Sequence, residues 1–244
     1  MHALGIDIGG SSIKGALVDV ESGSIISDVW RYKTPSPADY GSLLQVLQQF
    51  FSEHPSAQAI GIAYPGVVKN NVLKTAANLD KSCLHKNLRL DLLNRTFPEQ
   101  TVVLNDADAA GLAELHYGNA RDLKNNNFLM LTFGTGIGSA LFVQGQLCPN
   151  TELGHLHVDG QEGEAIASAK IRSKLGLSWQ EWAQPVSRYL TELENLLWPD
   201  YYVIGGAVSE HFAEFSPYIS CRTPLKAAAL SGNAGIIGAA RSAT

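Results

Sequence analysis

The amino-acid sequence predicts an α/β fold, and three observations support this prediction. Short apolar segments typical of buried strands alternate with segments that repeat leucine and phenylalanine at helical spacing. Two of the strand segments end in glycine-rich turns, one near residue 9 and one near residue 134. The chain has 244 residues, of which 45% are hydrophobic and 17% charged, so it can bury a large core. This composition excludes disordered, collagen-like and coiled-coil proteins.

Apolar runs and their spacing define the elements of the first half of the chain. Glycine and proline mark the ends of the strands, and Leu43, Leu47 and Phe50 share one face of a helix. The predicted elements are strands at 4–8, 13–20 and 25–32, a helix over 40–51, and a strand at 59–63 that stops at Pro65-Gly66.

The second half of the chain repeats this alternation of strands and helices. A strand before Asn105 leads into a predicted helix, and two strands flank the glycine-rich stretch 134–138. The predicted elements are strands at 101–104, 128–133, 139–143 and 201–204, and helices over 106–117, 165–175, 179–197 and 234–243.

Charge and cysteine content limit the partners and the compartment. Lys and Arg total 18 against 23 Asp and Glu, a net charge of −5 with no basic run, which disfavours a dedicated nucleic-acid binder. Cys83, Cys148 and Cys221 lie far apart without a CxxC pair, a pattern typical of a reducing compartment. No apolar stretch approaches the ~18 residues of a membrane span. We therefore expect a cytoplasmic protein with no membrane partner.

One internal similarity links the two glycine-rich turns. Residues 4–12 align with residues 129–137, so that Asp7 matches Thr132 and Gly9 matches Gly134. Two such strand–turn–strand segments predict a duplicated fold with a ligand between the halves. The alternative is a chance similarity, because the order apolar–glycine–apolar is common.

The glycine-rich turns are candidate phosphate sites. Successive backbone N–H groups in such turns bind anions, and Asp7 beside the first turn is a candidate ligand for Mg²⁺. Ser11, Ser12 and Lys14 add further donors. The alternative is a pair of ordinary hairpin turns. A P-loop or a Rossmann dinucleotide site is disfavoured, because no GxxxxGK[ST] occurs and a strand follows residues 134–138.

Polar residues after the strand at 101–104 are candidates for proton transfer. Asp106 could take a proton from a substrate hydroxyl while Asn105 hydrogen-bonds the same substrate. The alternative is that Asn105 caps the following helix, with Asp106 and Asp108 in its first turn. Further along the chain, Glu152 and Glu164 are typical of a sugar pocket, in which carboxylates accept from hydroxyl groups.

Four segments in this order resemble the ROK family of actin/hexokinase-like sugar kinases. Residues 7–15 resemble the first phosphate loop, 61–68 the GxxxPG segment, 104–109 the catalytic segment and 131–138 the second phosphate loop. Three further segments look closest to the bacterial polyphosphate glucokinases of the family, namely 75–82, 149–155 and 233–240.

The resemblance implies the fold and its division. The implied fold is the actin/hexokinase-like one, a duplicated ribonuclease H-like architecture with two domains and an interdomain cleft. The small domain would comprise residues 1–108 and 234–244, and the large domain residues 109–233. Family members are usually homodimers, so we expect a homodimer. Candidate residues for its face are Trp179, Trp182, Leu190, Leu193, Leu196 and Leu197.

The resemblance also implies the reaction. A family member of this type transfers the terminal phosphoryl group of polyphosphate or ATP to the 6-hydroxyl of glucose, with Mg²⁺ as cofactor and Asp106 as general base. The sugar-binding residues carried over are Asn78, Asn105, Asp106, Glu152, His155 and Glu164. The phosphate- or nucleotide-binding residues carried over are Asp7 (also toward Mg²⁺), Gly9, Gly10, Ser11, Ser12, Lys14, Thr132, Gly134, Thr135, Gly136, Gly205 and Gly206.

The sequence departs from the family pattern at three places. Many members bind zinc through a His and a Cys-rich loop, but residues 158–163 after His155 contain no cysteine, so we expect no zinc. Glu210 and Ala207 stand where the polyphosphate subgroup has lysine and glycine. Repressor members carry an N-terminal DNA-binding module, whereas this sequence starts at the first kinase strand, so we expect no DNA partner.

Two other functions stay open. One is an ATP-only hexokinase of the same family that acts on glucose or another hexose, which Glu210 favours. The other is a non-catalytic sugar sensor that keeps the pocket but transfers no phosphoryl group.

Overall fold

The computed structural model describes residues 1–54, 57–95, 97–230 and 232–244, which form two compact units. Unit 1 comprises residues 1–117 and 233–244, and unit 2 comprises residues 118–232. The boundary lies after residue 117 rather than after residue 108, because the helix over 106–117 packs along the C-terminal helix of unit 1.

Both units are built from a β-sheet and helices. The elements up to residue 117 are β1 (His2–Ile8), β2 (Ser12–Asp19), β3 (Ser24–Ile25), β4 (Trp30–Lys33), α1 (Tyr40–Glu53), β5 (Ala59–Tyr64), β6 (Val68–Lys69), β7 (Val72–Leu73), α2 (Leu88–Leu93), β8 (Gln100–Asn105) and α3 (Asp106–Tyr117). The later elements are β9 (Phe128–Phe133), β10 (Ile137–Val143), β11 (Gln146–Cys148), β12 (His157–Val158), β13 (Gln161–Glu162), α4 (Gly163–Ala167), α5 (Ala169–Leu175), α6 (Trp179–Leu197), β14 (Tyr201–Gly205), α7 (Phe212–Phe215), β15 (Leu225–Ala227) and α8 (Ala234–Ser242).

The strands of the two main sheets are arranged in the same way. In unit 1 it is β3-β2-β1-β5-β8, with β4 also paired to β2, and in unit 2 it is β11-β10-β9-β14-β15. In each sheet a central strand pairs antiparallel with its hairpin partner and parallel with the strand on its other side. The internal similarity between residues 4–12 and 129–137 therefore corresponds to a repeated hairpin in a repeated sheet.

The sheet of unit 1 carries helices on two faces. Leu4 and Ile6 of β1 belong to the core that also contains Leu43 and Leu47 of α1. Alternate strand residues point to the opposite face. On that face Gly5 lies against the backbone of α8.

Glycines allow α8 to lie directly on its neighbours. A Cβ at Gly5 or Gly61 would overlap a backbone carbonyl oxygen of α8, and a Cβ at Gly238 would overlap the carbonyl oxygen of Ala109 in α3. These contacts join β1, β5, α3 and α8 into one tightly packed group, because backbone meets backbone without an intervening side chain.

The core of unit 2 forms between its sheet and α6. The ring of Phe133 packs edge-on against Trp182 at 5.5 Å between centroids, and Trp182, Leu190 and Leu193 are fully buried. Three candidates for a dimer face are therefore core residues, whereas Leu196 is 62% exposed. The homodimer stays a prediction.

Two predicted elements are broken by serine side chains. The predicted strand at 25–32 divides into β3 and β4, because the Oγ of Ser27 accepts from the backbone N–H of Leu17 at 3.0 Å in place of a strand carbonyl. The predicted helix over 165–175 divides into α4 and α5 at Ser168, which is extended and caps α5.

Two expectations from composition are tested by the structure. No described helix is long and apolar enough to cross a membrane. Cys83, Cys148 and Cys221 are all free thiols, as expected from their spacing.

The contact between Gly238 and α3 predicts a large effect of one methyl group. We expect Gly238→Ala to lower the free energy of unfolding by about 3 kcal/mol, since overpacking outweighs the gain of about 1 kcal/mol in helix propensity. Chemical denaturation measures this difference.

Gly41→Ala is the matched control within α1. Its Cβ would meet only the carboxylate oxygen of the capping residue Asp39, at 3.3 Å, which a shift of a few tenths of an ångström relieves. We expect the control to stay within about 0.5 kcal/mol of the parent protein. Equal stability of the parent and Gly238→Ala would contradict the packing described here.

Candidate functional site

The first glycine-rich turn connects β1 to β2 and is fixed by hydrogen bonds. The N–H of Gly9 donates to the carbonyl of Ser12 at 3.0 Å. Thr34 donates its hydroxyl to the carbonyl of Gly9 at 2.6 Å and its N–H to that of Ser11 at 3.2 Å. Gly10 and Ser11 remain exposed at the tip, available to a ligand. Sequence reasoning missed Thr34, and no local pattern marks it, because it lies far from the turn along the chain.

Asp7 lies at the end of β1, beside this turn. It is opposite Lys14 in the β1–β2 register, and its carboxylate lies 3.0–3.2 Å from the position of a Cβ at Gly235 in the first turn of α8. Burial raises the pKa of Asp7, while the positive charge of Lys14 acts in the opposite direction. A carboxylate whose charge is disfavoured by burial suits a hard cation such as Mg²⁺.

Asn78, a predicted sugar ligand, lies against the first turn. Its side chain is 3.3–3.7 Å from the position of a Cβ at Gly10, and it is exposed. A tight turn presents it, in which the N–H of Leu79 donates to the carbonyl of Ala76 at 2.6 Å and Ala77 has a φ of 32°. The structure thus brings a predicted sugar residue and the first phosphate loop together.

Asn105 is the N-terminal cap of α3. Its Oδ1 accepts from the N–H groups of Ala107 at 2.8 Å and Asp108 at 3.0 Å, and its amide donates to the carbonyl of Gly66 at 3.2 Å. The capping interpretation is confirmed, and it links the Pro-Gly turn to the start of α3. A direct contact of this buried side chain with sugar stays a prediction.

The two carboxylates of the first turn of α3 differ in exposure. Asp106 is half-buried, whereas Asp108 is only 1% exposed. Only Asp106 is therefore accessible to a substrate. A general base must be a side chain that the substrate hydroxyl can reach, so Asp106 and not Asp108 is the candidate.

The sheet register sets the distance between Asp7 and the start of α3. Asp7 pairs with Ala63 of β5, and Ala63 pairs with Leu104 of β8. Two strand spacings separate Asp7 from Leu104, about 10 Å. Asn105 and Asp106 follow Leu104 directly. The two candidate carboxylates of unit 1, Asp7 and Asp106, therefore lie at the end of the sheet where the parallel strands β1, β5 and β8 terminate.

The second glycine-rich turn has the same position in unit 2. The N–H of Gly134 donates to the carbonyl of Gly136 at 3.0 Å. Thr132 before the turn pairs with Gly205 at the end of the neighbouring β14. Gly206 has a φ of 80°, a left-handed conformation that favours glycine, and it turns the chain away at this edge. The structure brings these predicted phosphate residues together.

Glu164 lies on this second turn. Its Oε2 accepts from the N–H of Ile137 at 3.3 Å, and a Cβ at Gly136 would overlap the same carboxylate. Glycine at 136 therefore leaves room for Glu164, and Thr135 is exposed beside it. A predicted sugar ligand again contacts a predicted phosphate loop.

Ser139 and Thr151 fix the segment that carries Glu152. The Oγ of Ser139 donates to the carbonyl of Thr151 at 2.7 Å, the Thr151 hydroxyl donates to the carbonyl of Ser139 at 2.9 Å, and Leu153 N–H donates to Ser139 Oγ at 3.0 Å. Burial raises the pKa of Glu152. Sequence reasoning missed Ser139, which is hidden inside β10 as an apparent strand residue.

His155 lies among three carboxylates. Its Nε2 is 3.8 Å from Glu152 Oε2, and its Nδ1 is 3.5 Å from Glu162 Oε2. One ligand atom each from His155, Glu162 and Glu164 lie within 4.8 Å of one another, close enough to share a cation. Such clusters also occur without a metal, and the expectation of no zinc stays a prediction.

Comparisons with known proteins identify the family of this chain. The sequence model of the ROK family matches residues 3–167. The chain belongs to the ROK family. It is 45% identical to a polyphosphate glucokinase of Mycobacterium leprae, covering 100% of this chain and 75% of the relative. It is 43% identical to a polyphosphate glucokinase of Mycobacterium tuberculosis strain H37Rv, covering 98% and 90%.

Solved structures of ROK proteins share the fold. An inorganic polyphosphate/ATP-glucomannokinase from Arthrobacter sp. strain KM has a TM-score of 0.91 at 40% identity, covering 99% of this chain and 98% of that one. A ROK family glucokinase from Streptomyces griseus, solved with glucose and AMPPNP, has a TM-score of 0.83 at 23% identity, covering 98% of each chain. The prediction of an actin/hexokinase-like fold is confirmed.

The raised pKa of Asp7 predicts how stability depends on pH. A carboxyl with a folded pKa above its unfolded value destabilises the fold above the folded pKa, and this cost disappears below the unfolded pKa of about 3.9. We therefore expect Asp7→Asn to have a higher melting temperature than the parent at pH 8 without Mg²⁺. The increase should be about 2–4 °C for each kcal/mol by which the substitution raises the free energy of unfolding. The difference should shrink as the pH falls through the folded pKa toward the unfolded pKa of about 3.9.

Thermal unfolding between about pH 4 and 8 tests this, with Asp28→Asn as the control at an exposed carboxylate. Added Mg²⁺ should raise the melting temperature of the parent and leave that of Asp7→Asn unchanged. A lower melting temperature of Asp7→Asn at pH 8 would disprove the assignment.

Proposed function

We propose that this protein is a hexokinase that transfers the terminal phosphoryl group of inorganic polyphosphate or ATP to the 6-hydroxyl of glucose. The similarity of 45% over the whole chain to a polyphosphate glucokinase supports the acceptor and the donor. The observation that carries the chemistry is the accessible carboxylate of Asp106, held at the start of a capped helix at the same sheet edge as Asp7.

Asp106 is the proposed general base. Its carboxylate accepts the proton of the sugar 6-hydroxyl as the oxygen attacks the terminal phosphorus, and the bond from that phosphorus to the leaving phosphate breaks. The products are glucose 6-phosphate and either a polyphosphate shortened by one phosphate or ADP. Asn105 is a positioning residue in this scheme, because its hydrogen bonds hold the first turn of α3.

Each unit has polar side chains that are proposed ligands of the acceptor. Asn78 of unit 1 and Glu152, His155 and Glu164 of unit 2 offer amide, carboxylate and imidazole groups, which pair with sugar hydroxyls. The proximity of Asn78 to Gly10 and of Glu164 to Gly136 supports this assignment, because in each unit a proposed sugar ligand lies beside a proposed phosphate residue.

The glycine-rich turn of each unit is a proposed phosphate site for the donor. Gly10 and Ser11 offer backbone N–H groups and a hydroxyl at the exposed tip of the turn that Gly9 closes, and Lys14 adds a positive charge. Thr132, Gly134, Thr135, Gly136, Gly205 and Gly206 are the proposed phosphate and nucleotide residues of unit 2. Phosphoryl transfer depends mainly on alignment and on neutralisation of charge, which such turns supply.

Asp7 is the proposed protein ligand for Mg²⁺. When bound, the ion would neutralise the charge of the donor phosphates. The fit rests on the partly buried carboxylate, whose charge a cation would stabilise. Lys14 across the hairpin contributes a fixed positive charge beside the same turn.

Mannose is the second candidate acceptor. The support is the Arthrobacter glucomannokinase, whose structure matches over 99% of this chain. Parallel assays with mannose and glucose separate a glucose-specific enzyme from a glucomannokinase.

The role of Asp106 predicts a loss of turnover without a loss of binding. We expect Asp106→Asn to lower kcat by about 10²- to 10⁴-fold, since the base is removed and the hydrogen-bonding group is kept. Calorimetry should find glucose affinity within about threefold of the parent. Asp108→Asn is the control for charge loss in the same turn and should keep kcat within about tenfold while lowering the melting temperature. Full activity of Asp106→Asn would refute the proposed base.

A donor screen tests the proposed reaction itself. The purified protein is incubated with glucose and Mg²⁺, with ATP in one reaction and long-chain polyphosphate in another, and glucose 6-phosphate is measured. We expect product from polyphosphate, and product from ATP as well if both donors are used. Product from ATP alone would establish the ATP-only hexokinase, and no product from either donor with any hexose would refute the proposal.

A further inference from the structure

We propose that Lys170 and Lys174 on α5 form an electropositive track for inorganic polyphosphate beyond the residues that react. The inference rests on the proposed function and identifies where the donor chain continues. Its starting point is the distribution of positive charge. Unit 2 has eight Lys and Arg residues, and three of them lie within the seven residues of α5, which contains no acidic residue.

The first turn of α5 is attached to the second glycine-rich turn. The backbone N–H of Lys170 donates to the carbonyl of Gly134 at 3.0 Å. The side chain of Lys170 therefore starts from a residue in direct contact with the proposed phosphate loop. A polyphosphate whose end lies on that loop would pass α5 next.

Lys170 and Lys174 form one exposed stripe. They are four residues apart, so they lie on the same side of the helix, about 6 Å apart along its axis. Both side chains are exposed. Arg172 between them lies on another side of the helix, where its guanidinium stacks on Trp179 at 3.4 Å and holds α5 against α6.

Core packing does not explain this composition. None of the seven residues of α5 is buried, and like charges four residues apart destabilise a helix. Among the residues that the structure describes, no carboxylate forms an ion pair with Lys170 or Lys174.

Three other cations of unit 2 are held in ion pairs. Arg188 pairs with Asp159 at 3.2 Å, Arg222 with Glu194 at 3.3 Å, and Lys226 with Asp122 at 2.6 Å. The two ammonium groups of α5 are thus available to an anion that the protein itself does not supply.

Polyphosphate is the ligand that these features suit. Each of its phosphates carries negative charge along a flexible chain, so a stripe of mobile ammonium groups can bind it without a defined pocket, as basic residues bind a nucleic-acid backbone. ATP has only three phosphates and ends in a nucleoside. The α5 track therefore affects polyphosphate as donor far more than ATP.

The test is the double variant Lys170→Gln/Lys174→Gln, assayed with ATP and with polyphosphates of increasing length. We expect the KM for long-chain polyphosphate to rise by roughly tenfold, and the slope of log KM against log salt to fall by roughly 1 to 2. The KM values for ATP and for glucose should stay within about twofold of the parent. In the parent the KM should fall as the polyphosphate lengthens, and in the variant this dependence should flatten.

Two further variants test whether the change in KM depends on the positive charge and on its position. Lys170→Arg/Lys174→Arg retains the charge and should restore the KM of the parent. Lys124→Gln removes an exposed lysine whose carbonyl lies against Gly145 in the β10–β11 turn. That turn is at the far end of β9 and β10 from Gly134, roughly 20 Å away, so the KM should not change.

The outcomes separate the two proposals. A double variant with the KM of the parent for long-chain polyphosphate, in a protein that uses this donor, would overturn the α5 track and leave the proposed function intact. A parent protein that uses ATP and never polyphosphate would overturn the donor assignment, and the track with it.

Discussion

The packing of α8 against backbone is the contact on which the candidate site of unit 1 depends. Gly5 and Gly61 let this helix lie on β1 and β5, and Gly238 lets it lie on α3. The same helix places Gly235 against the carboxylate of Asp7, while α3 begins with Asp106. Because backbone-to-backbone contacts leave no side chain to adjust, a shift of α8 would displace the candidate metal ligand and the candidate base together.

The two units use one hairpin design for two candidate phosphate sites that differ in charge. In unit 1 the strand before the turn ends with the charged Asp7, and Lys14 lies opposite. In unit 2 the matching residue is the neutral Thr132. The carboxylate beside this turn belongs to Glu164, which lies in α4 and not in the hairpin. The first hairpin therefore suits a phosphate with a cation. The second suits a phosphate held by backbone N–H groups beside a sugar hydroxyl.

Overall charge is a poor guide to the donor of this enzyme. The chain carries a net charge of −5, which by itself opposes a polyanion. The relevant quantity is local, because charges separated by more than about 10 Å are largely screened at physiological salt. Lys170 and Lys174 of α5 are such local charges, because the first turn of this helix contacts the carbonyl of Gly134.

The sequence by itself determined the elements with strong periodicity and the motifs with fixed spacing. The helices 106–117 and 179–197 and the strand 128–133 have the predicted bounds, because local patterns of apolar residues specify them. The tertiary structure decided other features of the fold and of the candidate site, because they depend on contacts between residues that are far apart in the chain. Thr34 fixes the turn at Gly9, Ser27 interrupts a predicted strand, and burial separates Asp108 from Asp106. No local pattern encodes these choices, since each depends on which backbone group or packing surface the fold brings near.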